Sequence, residues 1–233
     1  MRYLPFGRAA LTMLVMALVA TSSTWAASME YGSKVNWNDV DEGAALSPFY
    51  MAPDFAFWDA DDDLVLDADE VVYININPSD DVVSENDVRL TKFGDLPAGS
   101  QVAKADNDIG QQLTKFGTST NPRAELRFFD VGGDLAYDLE DPIYLNVVPG
   151  QIKSNDVRIT NYTGFPAGSR VGDHPDNGLR TSTLPGMLSF LNKNGNINNG
   201  GYAIYDRGDV IYMDTQYPFY MVTINDVRLS LSV

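Results

Sequence analysis

The chain has no cysteine among its 233 residues, and His174 is its only histidine. The absence of cysteine excludes disulfide frameworks, thiol catalysis and cysteine-ligated zinc. A lone histidine in a Gly-Asp-His-Pro turn lacks the nucleophile and base partners that covalent catalysis needs. Phosphate-binding glycine loops and nucleotide fingerprints are also missing. The sequence therefore argues against an enzyme, and a secreted hydrolase acting through two carboxylates remains as a weaker alternative.

Basic residues are scarce, with 16 Lys and Arg against 32 Asp and Glu, which gives a formal net charge of −16. Nucleic acids and anionic membranes bind positive patches, so we expect neither as a partner. An excess of carboxylates instead favours cations, and bound cations would relieve the self-repulsion of the folded chain. The composition thus indicates a protein suited to an ion-rich exterior.

Long apolar runs are absent except at the N-terminus, where residues 9–20 follow Arg2 and Arg8. This layout, with small residues after it, predicts a secretory signal peptide over residues 1–26. The run is short for a membrane helix, which needs about 20 residues, although an uncleaved anchor is the alternative. Removal of residues 1–26 takes away two arginines, so the mature charge becomes −16 − 2 = −18. We expect a secreted protein at the cell surface, with no membrane segment after signal removal.

Two short blocks recur along the chain. Asn-Asp-Val-Arg begins at Asn86, Asn155 and Asn225, with spacings of 69 and 70 residues. A Pro-Ala-Gly-Ser block follows at 97–100 and 166–169 but does not follow the third copy. Repetition in one order at one period predicts a tandem array. The predicted parts are an N-terminal arm (27–44), unit 1 (45–117), unit 2 (118–189) and a truncated unit 3 (190–233).

The periodicity within the units is that of β-strands. Residues 71–76, 143–148 and 219–224 are rich in β-branched and aromatic residues, and Gly, Pro, Asn and Asp punctuate the chain between them. We therefore predict an all-β fold of tandem β-sandwich-like units. The Val-Arg-Leu-Thr alternation predicts strands with one buried face and with the arginines on the exposed face, where they pair with acids of the next strand or loop.

The chain ends on an apolar strand, residues 226–233. Two interpretations stay open for this strand. It is either inserted in its own sheet or exposed as an edge that pairs with another copy of the chain. The arm at residues 28–37 is a second candidate for such an exchange.

Acidic loops precede the Asn-Asp-Val-Arg blocks. Calcium binds oxygen ligands spread over a loop of about a dozen residues, so clustered carboxylates at this spacing favour calcium sites. In the first loop the candidate ligands are Asp59, Asp61, Asp63, the Val65 carbonyl, Asp67 and Glu70. In the second loop they are Asp130, Asp134, Asp138 and Asp141. A third, weaker copy is predicted at Asp206, Asp209 and Asp214.

The ligand spacing of these loops resembles that of the calcium loops of EF-hand and dockerin proteins, over about twelve residues per copy. The resemblance implies Ca²⁺ as the bound ion and does not extend to the whole chain. Leu64 and Leu135 stand where the motif has glycine, so we expect a different turn there. The flanking segments are strands instead of helices.

Further polar turns are weaker metal candidates, at residues 106–108 and 173–177. The asparagines between 192 and 198 are interpreted as a plain turn, because Asn is a common turn former. An aromatic strip beside the loops could stack sugars but more often forms core. Its members are Phe57, Trp58, Phe128, Phe129, Tyr202 and Tyr205.

Together these features favour a secreted, calcium-stabilised structural protein. We expect it to self-associate at the cell surface as a layer, sheath or filament subunit, with itself as the main partner. The alternative is a calcium-dependent carbohydrate-binding or adhesion module that recognises cell-surface glycans.

Overall fold

The computed structural model describes residues 30–117, 123–148, 150–216 and 220–231. These residues form twelve strands in three antiparallel four-stranded sheets, which confirms the predicted all-β fold. The same residues contain no helix that could cross a membrane. The predicted signal peptide lies outside them. The strands are β1 (Ser47–Pro48), β2 (Asp54–Trp58), β3 (Val71–Asn75), β4 (Val88–Arg89), β5 (Leu113–Lys115), β6 (Glu125–Phe128), β7 (Ile143–Asn146), β8 (Val157–Arg158), β9 (Ser182–Thr183), β10 (Met187–Leu191), β11 (Val210–Asp214) and β12 (Val227–Arg228).

The three sheets have the same strand order. Each has a central antiparallel pair, β2–β3, β6–β7 or β10–β11, whose connecting loop is one of the polar loops. The second strand of each pair is flanked by the strand of the Asn-Asp-Val-Arg block, β4, β8 or β12. The first strand is flanked by β5, β9 or, in the third sheet, β1. The third sheet thus combines strands from both ends of the described chain.

The strand predicted at residues 219–224 is wrong in position. The third sheet uses Val210–Asp214 instead, and Met221 makes only an isolated bridge with Ala45. Phe219 lies outside the described residues. The terminal strand β12 pairs with β11 within its own sheet, as the first of the two interpretations expected. The unit boundaries near residues 45, 118 and 190 remain predictions.

The N-terminal segment packs beside β12 in the place that the Pro-Ala-Gly-Ser block takes in the other two sheets. Gly32 N donates to Arg228 O at 2.8 Å. Gly99 N and Gly168 N donate in the same way to Arg89 O and Arg158 O, both at 2.7 Å. Residues 30–46 therefore fill the position of the missing third block within the same chain.

Three glycines allow these turns to pack against one another. All three have positive φ, between 73° and 79°. A Cβ on Gly99 would lie 2.4 Å from Tyr31 Cβ, one on Gly168 would lie 2.3 Å from Ala98 Cβ, and one on Gly32 would lie 2.5 Å from Ala167 Cβ. Only glycine combines this backbone conformation with so close an approach.

The main core lies between the three sheets. Each central strand sends alternate side chains into it, such as Ile74 from β3, Leu145 from β7 and Ile211 from β11, all with no exposed area. The intervening residues form smaller clusters on the opposite faces. Both faces of each sheet are therefore covered, which explains why β3, β7 and β11 are buried throughout.

The prediction that the Asn-Asp-Val-Arg arginines face solvent is wrong. Arg89, Arg158 and Arg228 are at most 1% exposed, because the loops that follow these strands cover the outer faces of the sheets. Arg89 donates through Nε and Nη2 to both oxygens of Asp108, at 2.8 and 2.7 Å, and Tyr73 OH donates to the same carboxylate at 2.8 Å. The predicted pairing with acids of the following loop is correct for Arg89 and Arg158, whereas Arg228 pairs with Asp39 and Asp41 of the N-terminal segment.

The same buried trio recurs in the other two sheets. In the second sheet Arg158 and Tyr144 both donate to Asp176. In the third sheet Arg228 and Tyr212 donate to Asp41, which belongs to the N-terminal segment. A buried arginine with a bidentate carboxylate and a tyrosine hydroxyl leaves few polar atoms unsatisfied. This cluster ties residues 30–46 to the third sheet.

Candidate metal centre

The first acidic loop connects β2 to β3. Asp59 at its start is 7% exposed, and its oxygens accept the N–H groups of Asp63 at 3.2 Å and Leu64 at 2.8 Å. Asp63 accepts the N–H of Val65 at 2.7 Å. These bonds curl the chain so that carboxylate oxygens of Asp59, Asp61 and Asp63 lie within 4.8 Å of one another. Three of the six predicted ligands therefore converge.

Glu70 closes the loop from the other end. It is 3% exposed, and its oxygens accept the N–H groups of Ala60 at 2.7 Å and Asp67 at 2.9 Å. Burial raises the pKa of Glu70, and the nearby charges of Asp59 and Asp61 raise it further. A cation in the cluster would oppose this effect, since positive charge favours the ionised carboxylate. The other predicted ligands of this loop, Val65 and Asp67, are exposed.

Leucine occupies the sharp turn of both acidic loops. Leu64 has φ 65° and Leu135 has φ 64°, which is the left-handed conformation that glycine normally supplies. The expectation of a different turn at this position is therefore wrong. A non-glycine residue held in this region costs on the order of 1–3 kcal/mol. Both side chains are exposed, at 52% and 81%, so burial does not offset this cost.

The second acidic loop, between β6 and β7, repeats the same hydrogen bonds. Asp130 accepts the N–H groups of Asp134 at 3.3 Å and Leu135 at 2.7 Å. Asp141 is 1% exposed and accepts those of Val131 at 2.8 Å and Asp138 at 3.1 Å, as Glu70 does in the first loop. Burial raises the pKa of Asp141. No three of its predicted ligands, Asp130, Asp134, Asp138 and Asp141, have oxygens as close together as those of the first loop.

The third loop of this kind is the β10–β11 connection, and the predicted register of the third acidic copy is wrong. Asp209 accepts the N–H groups of Lys193 at 2.9 Å and Asp206 at 3.0 Å, so it takes the place of Glu70. Asp214 lies outside the loop, at the end of β11. The place of Asp59 is taken by Asn192, which accepts the N–H of Gly195 at 2.8 Å.

Amides replace carboxylates in this third loop. Asn194 and Asn196 stand where the first loop has Asp61 and Asp63, and their Nδ2 groups donate to the two oxygens of Asp206 at 2.6 and 2.7 Å. Neutral amide donors thus satisfy the acid that a cation would otherwise neutralise. The alternating Asn spacing at 192, 194 and 196 was the sequence signal for this equivalence.

Each polar loop is held by a side chain from a different sheet. Arg170 Nη2 donates to Glu70 O of the first loop at 2.7 Å. Lys34 Nζ donates to carbonyl groups of the second loop, including Asp138 O at 2.8 Å. Gln101 Nε2 contacts the third loop at Asp206 O, 3.3 Å away.

These three residues each follow the serine of the Gly-Ser turn in their own sheet, so the loops form the junctions between sheets. Burial lowers the pKa of Lys34 to about 8, against the opposing charges of Asp141 and Asp138.

Acids of the other two candidate metal turns, residues 106–108 and 173–177, form ion pairs with buried arginines. Asp106 and Asp108 are both bound by Arg89, and Asp176 is bound by Arg158. These contacts give the carboxylates a structural role, because a paired guanidinium already supplies the positive charge. His174 stacks on Phe165, with ring centroids 4.1 Å apart, beside Arg158.

The aromatic strip divides between core and surface. Phe57, Phe128 and Tyr205 are at most 7% exposed and belong to the main core. Tyr202 is 55% exposed. Sugar stacking is therefore excluded for the three buried rings in this structure, whereas Tyr202 remains accessible.

Comparisons of this chain with protein-family models, with curated proteins and with solved structures gave no significant match.

Proposed function

We propose that this chain is an extracellular, calcium-stabilised structural protein that associates with copies of itself. The observation that carries the calcium part is the convergence of Asp59, Asp61 and Asp63 in a loop closed by Glu70. Hard oxygen ligands in a flexible loop suit Ca²⁺ better than Mg²⁺, which keeps its waters and takes few protein ligands.

The position of the loops supports a stabilising role for the ion. The first loop inserts Leu66 into the main core, and Asn155 Nδ2 from the second sheet donates to its carbonyl at 2.7 Å. Arg170, from the same sheet, binds Glu70 O. An ion that orders this loop would therefore order the junction between two sheets. The strongly acidic composition and the predicted signal peptide support an exterior location.

The calcium proposal is tested by thermal unfolding in EDTA and in excess calcium. A site filled at 100 times its Kd adds about 2.7 kcal/mol, which is roughly 5–10 °C for a domain of this size. The double substitution Asp61→Asn and Asp63→Asn should abolish most of this shift. Asp62→Asn is the matched control, because it removes one charge from the same loop but lies outside the cluster. An equal shift in the double variant and the wild type would contradict the assignment.

Self-association is tested separately, by light scattering and electron microscopy of the purified chain with calcium added. Particles that grow with calcium and dissolve in EDTA are expected. A monomer that persists at millimolar calcium, while its melting temperature still rises, would reject self-association and leave the calcium site standing.

A further inference from the structure

The β10–β11 loop, residues 192–209, is six residues longer than loop 59–70. The extra residues form a small projection in which Asn198 N donates to Tyr202 O at 2.8 Å and Ile197 bridges to Ala203. The Tyr202 ring lies against Tyr50, with centroids 5.1 Å apart and planes at 54°. Tyr50 is 70% exposed and Tyr202 is 55% exposed, so two adjacent rings face solvent.

Two clefts meet at this tyrosine pair. The first has a volume of about 250 Å³ and is lined by Tyr50, Met51 and Ile204. The second has about 470 Å³ and is lined by Tyr202 and by the start of the projection. Ala203 lines both clefts. The two clefts therefore adjoin at Ala203.

This surface carries no charge. Residues 194–205 and 43–53 contain no Asp, Glu, Lys or Arg, in a chain where such residues make up 21%. The exposed large apolar residues of these two segments are Tyr50, Met51, Ile197, Tyr202 and Ile204, which we name the tyrosine surface. Its neutrality and size suit a small, uncharged ligand.

We propose that the tyrosine surface binds a neutral oligosaccharide. The C–H faces of a sugar ring are apolar and stack on exposed aromatic rings, whose faces are electron-rich. The hydroxyl groups at the edge of a sugar need hydrogen-bond partners, and the side chain of Asn198 lines the first cleft. Its Oδ1 accepts the N–H groups of Gly200 and Tyr202, which leaves its Nδ2 group to donate to a hydroxyl. A ligand without charge also avoids repulsion by the acidic remainder of the chain.

The proposal is independent of calcium at the first loop. The projection grows from the one polar loop in which amides replace the carboxylates, and Asn194 and Asn196 already satisfy Asp206. Binding of the sugar should therefore persist in EDTA at temperatures below unfolding, whether or not the calcium proposal holds.

The test is calorimetric titration of the purified chain with neutral hexasaccharides of glucose and of N-acetylglucosamine, and with oligogalacturonate as a charged comparison. Binding of at least one neutral hexasaccharide is expected, with at least tenfold weaker affinity in Tyr50→Ala and in Tyr202→Ala. The Tyr→Phe variants should retain binding within about threefold, because they keep the stacking face. Trp37→Ala is the matched control, since Trp37 is 72% exposed but lines neither cleft.

Three outcomes would overturn the proposal. These are the absence of binding to every neutral hexasaccharide, binding unchanged in both alanine variants, and a loss of self-association in those variants without any sugar binding. Circular dichroism of each variant separates a loss of the site from a loss of the fold. Because Tyr50 and Tyr202 are both exposed, either alanine variant tests the site if the other one unfolds.

Discussion

Asp214→Asn should stabilise the protein at neutral pH. Asp214 has no exposed area, and its Oδ2 accepts the N–H of Tyr220 at 2.7 Å while its Oδ1 has no hydrogen-bond partner. The register Asp54↔Asn75, Glu125↔Asn146 and Met187↔Asp214 shows that the other two sheets carry asparagine at this place.

The two asparagines donate side-chain hydrogen bonds, which an ionised aspartate cannot do. Asn75 Nδ2 donates to Asp80 O at 3.0 Å, and Asn146 Nδ2 donates to Gln151 O at 3.0 Å. Asp214 has no such donor when ionised, and it faces the buried carboxylate of Asp226. Burial, reinforced by Asp226, raises the pKa of Asp214 from 3.8 to about 6.

The raised pKa fixes the sign of the pH dependence. Because the folded pKa lies above the unfolded one, the stability linked to the proton of Asp214 is fully present below pH 3.8 and is lost as pH rises through about 6. Each pH unit between the two values is worth 1.36 kcal/mol, so ionisation costs the folded state up to about 3 kcal/mol. The gain from Asp214→Asn should be about 2–3 kcal/mol at pH 8 and below about 1 kcal/mol at pH 4.

The assay is urea unfolding at several pH values in EDTA, which removes any contribution from bound calcium. The reciprocal variant Asn146→Asp is the control, and it should lose a similar amount at pH 8 and little at pH 4. If Asp214→Asn is neutral or destabilising at pH 8, the carboxylate is compensated in the folded state and the reasoning is refuted.

Three other predictions concern the buried arginines and the loops. Arg158→Met should destabilise the fold by about 3–5 kcal/mol in urea unfolding, because it leaves Asp176 buried and unpaired, and adding Asp176→Asn should recover part of the loss. Leu64→Gly should raise the free energy of unfolding by up to about 1 kcal/mol, seen as a higher urea midpoint, since it relieves a left-handed leucine, and a lower midpoint would mean that the leucine contacts matter more. The double substitution Asn194→Asp and Asn196→Asp should lower the melting temperature in EDTA and restore it with calcium, and an unchanged melt in EDTA would contradict amide neutralisation of Asp206.

Strands β3 and β7 and the two acidic loops were predictable because their signals are local. Apolar alternation identified β3 and β7 within one or two residues, and the carboxylate spacing identified the loop that brings Asp59, Asp61 and Asp63 together. The left-handed turn was missed because glycine is the usual mark of it, and leucine stands there instead.

The buried arginines could not be predicted, because burial depends on contacts distant in sequence. Arg89 finds Asp108 nineteen residues away, but Arg228 finds Asp41 at a separation of 187 residues. A strand of alternating apolar and charged residues is typical of a half-exposed strand. Its sequence does not reveal that a segment distant in the chain covers the charged face. The third loop was missed because asparagines stand where the first loop has aspartates and because the loop is longer.

Comparison of the three loops suggests how one backbone arrangement can serve two purposes. The hydrogen bonds that close the loop are the same in all three and are accepted by Glu70, Asp141 and Asp209. Closure therefore does not depend on the side chains at the places of Asp61 and Asp63. In the first loop the carboxylates of Asp59, Asp61 and Asp63 repel one another, and a bound cation would relieve this repulsion. In the third loop the amides of Asn194 and Asn196 relieve it internally. A loop that needs no ion can lengthen without losing a ligand set, and this is the loop that carries the projection and the exposed tyrosine.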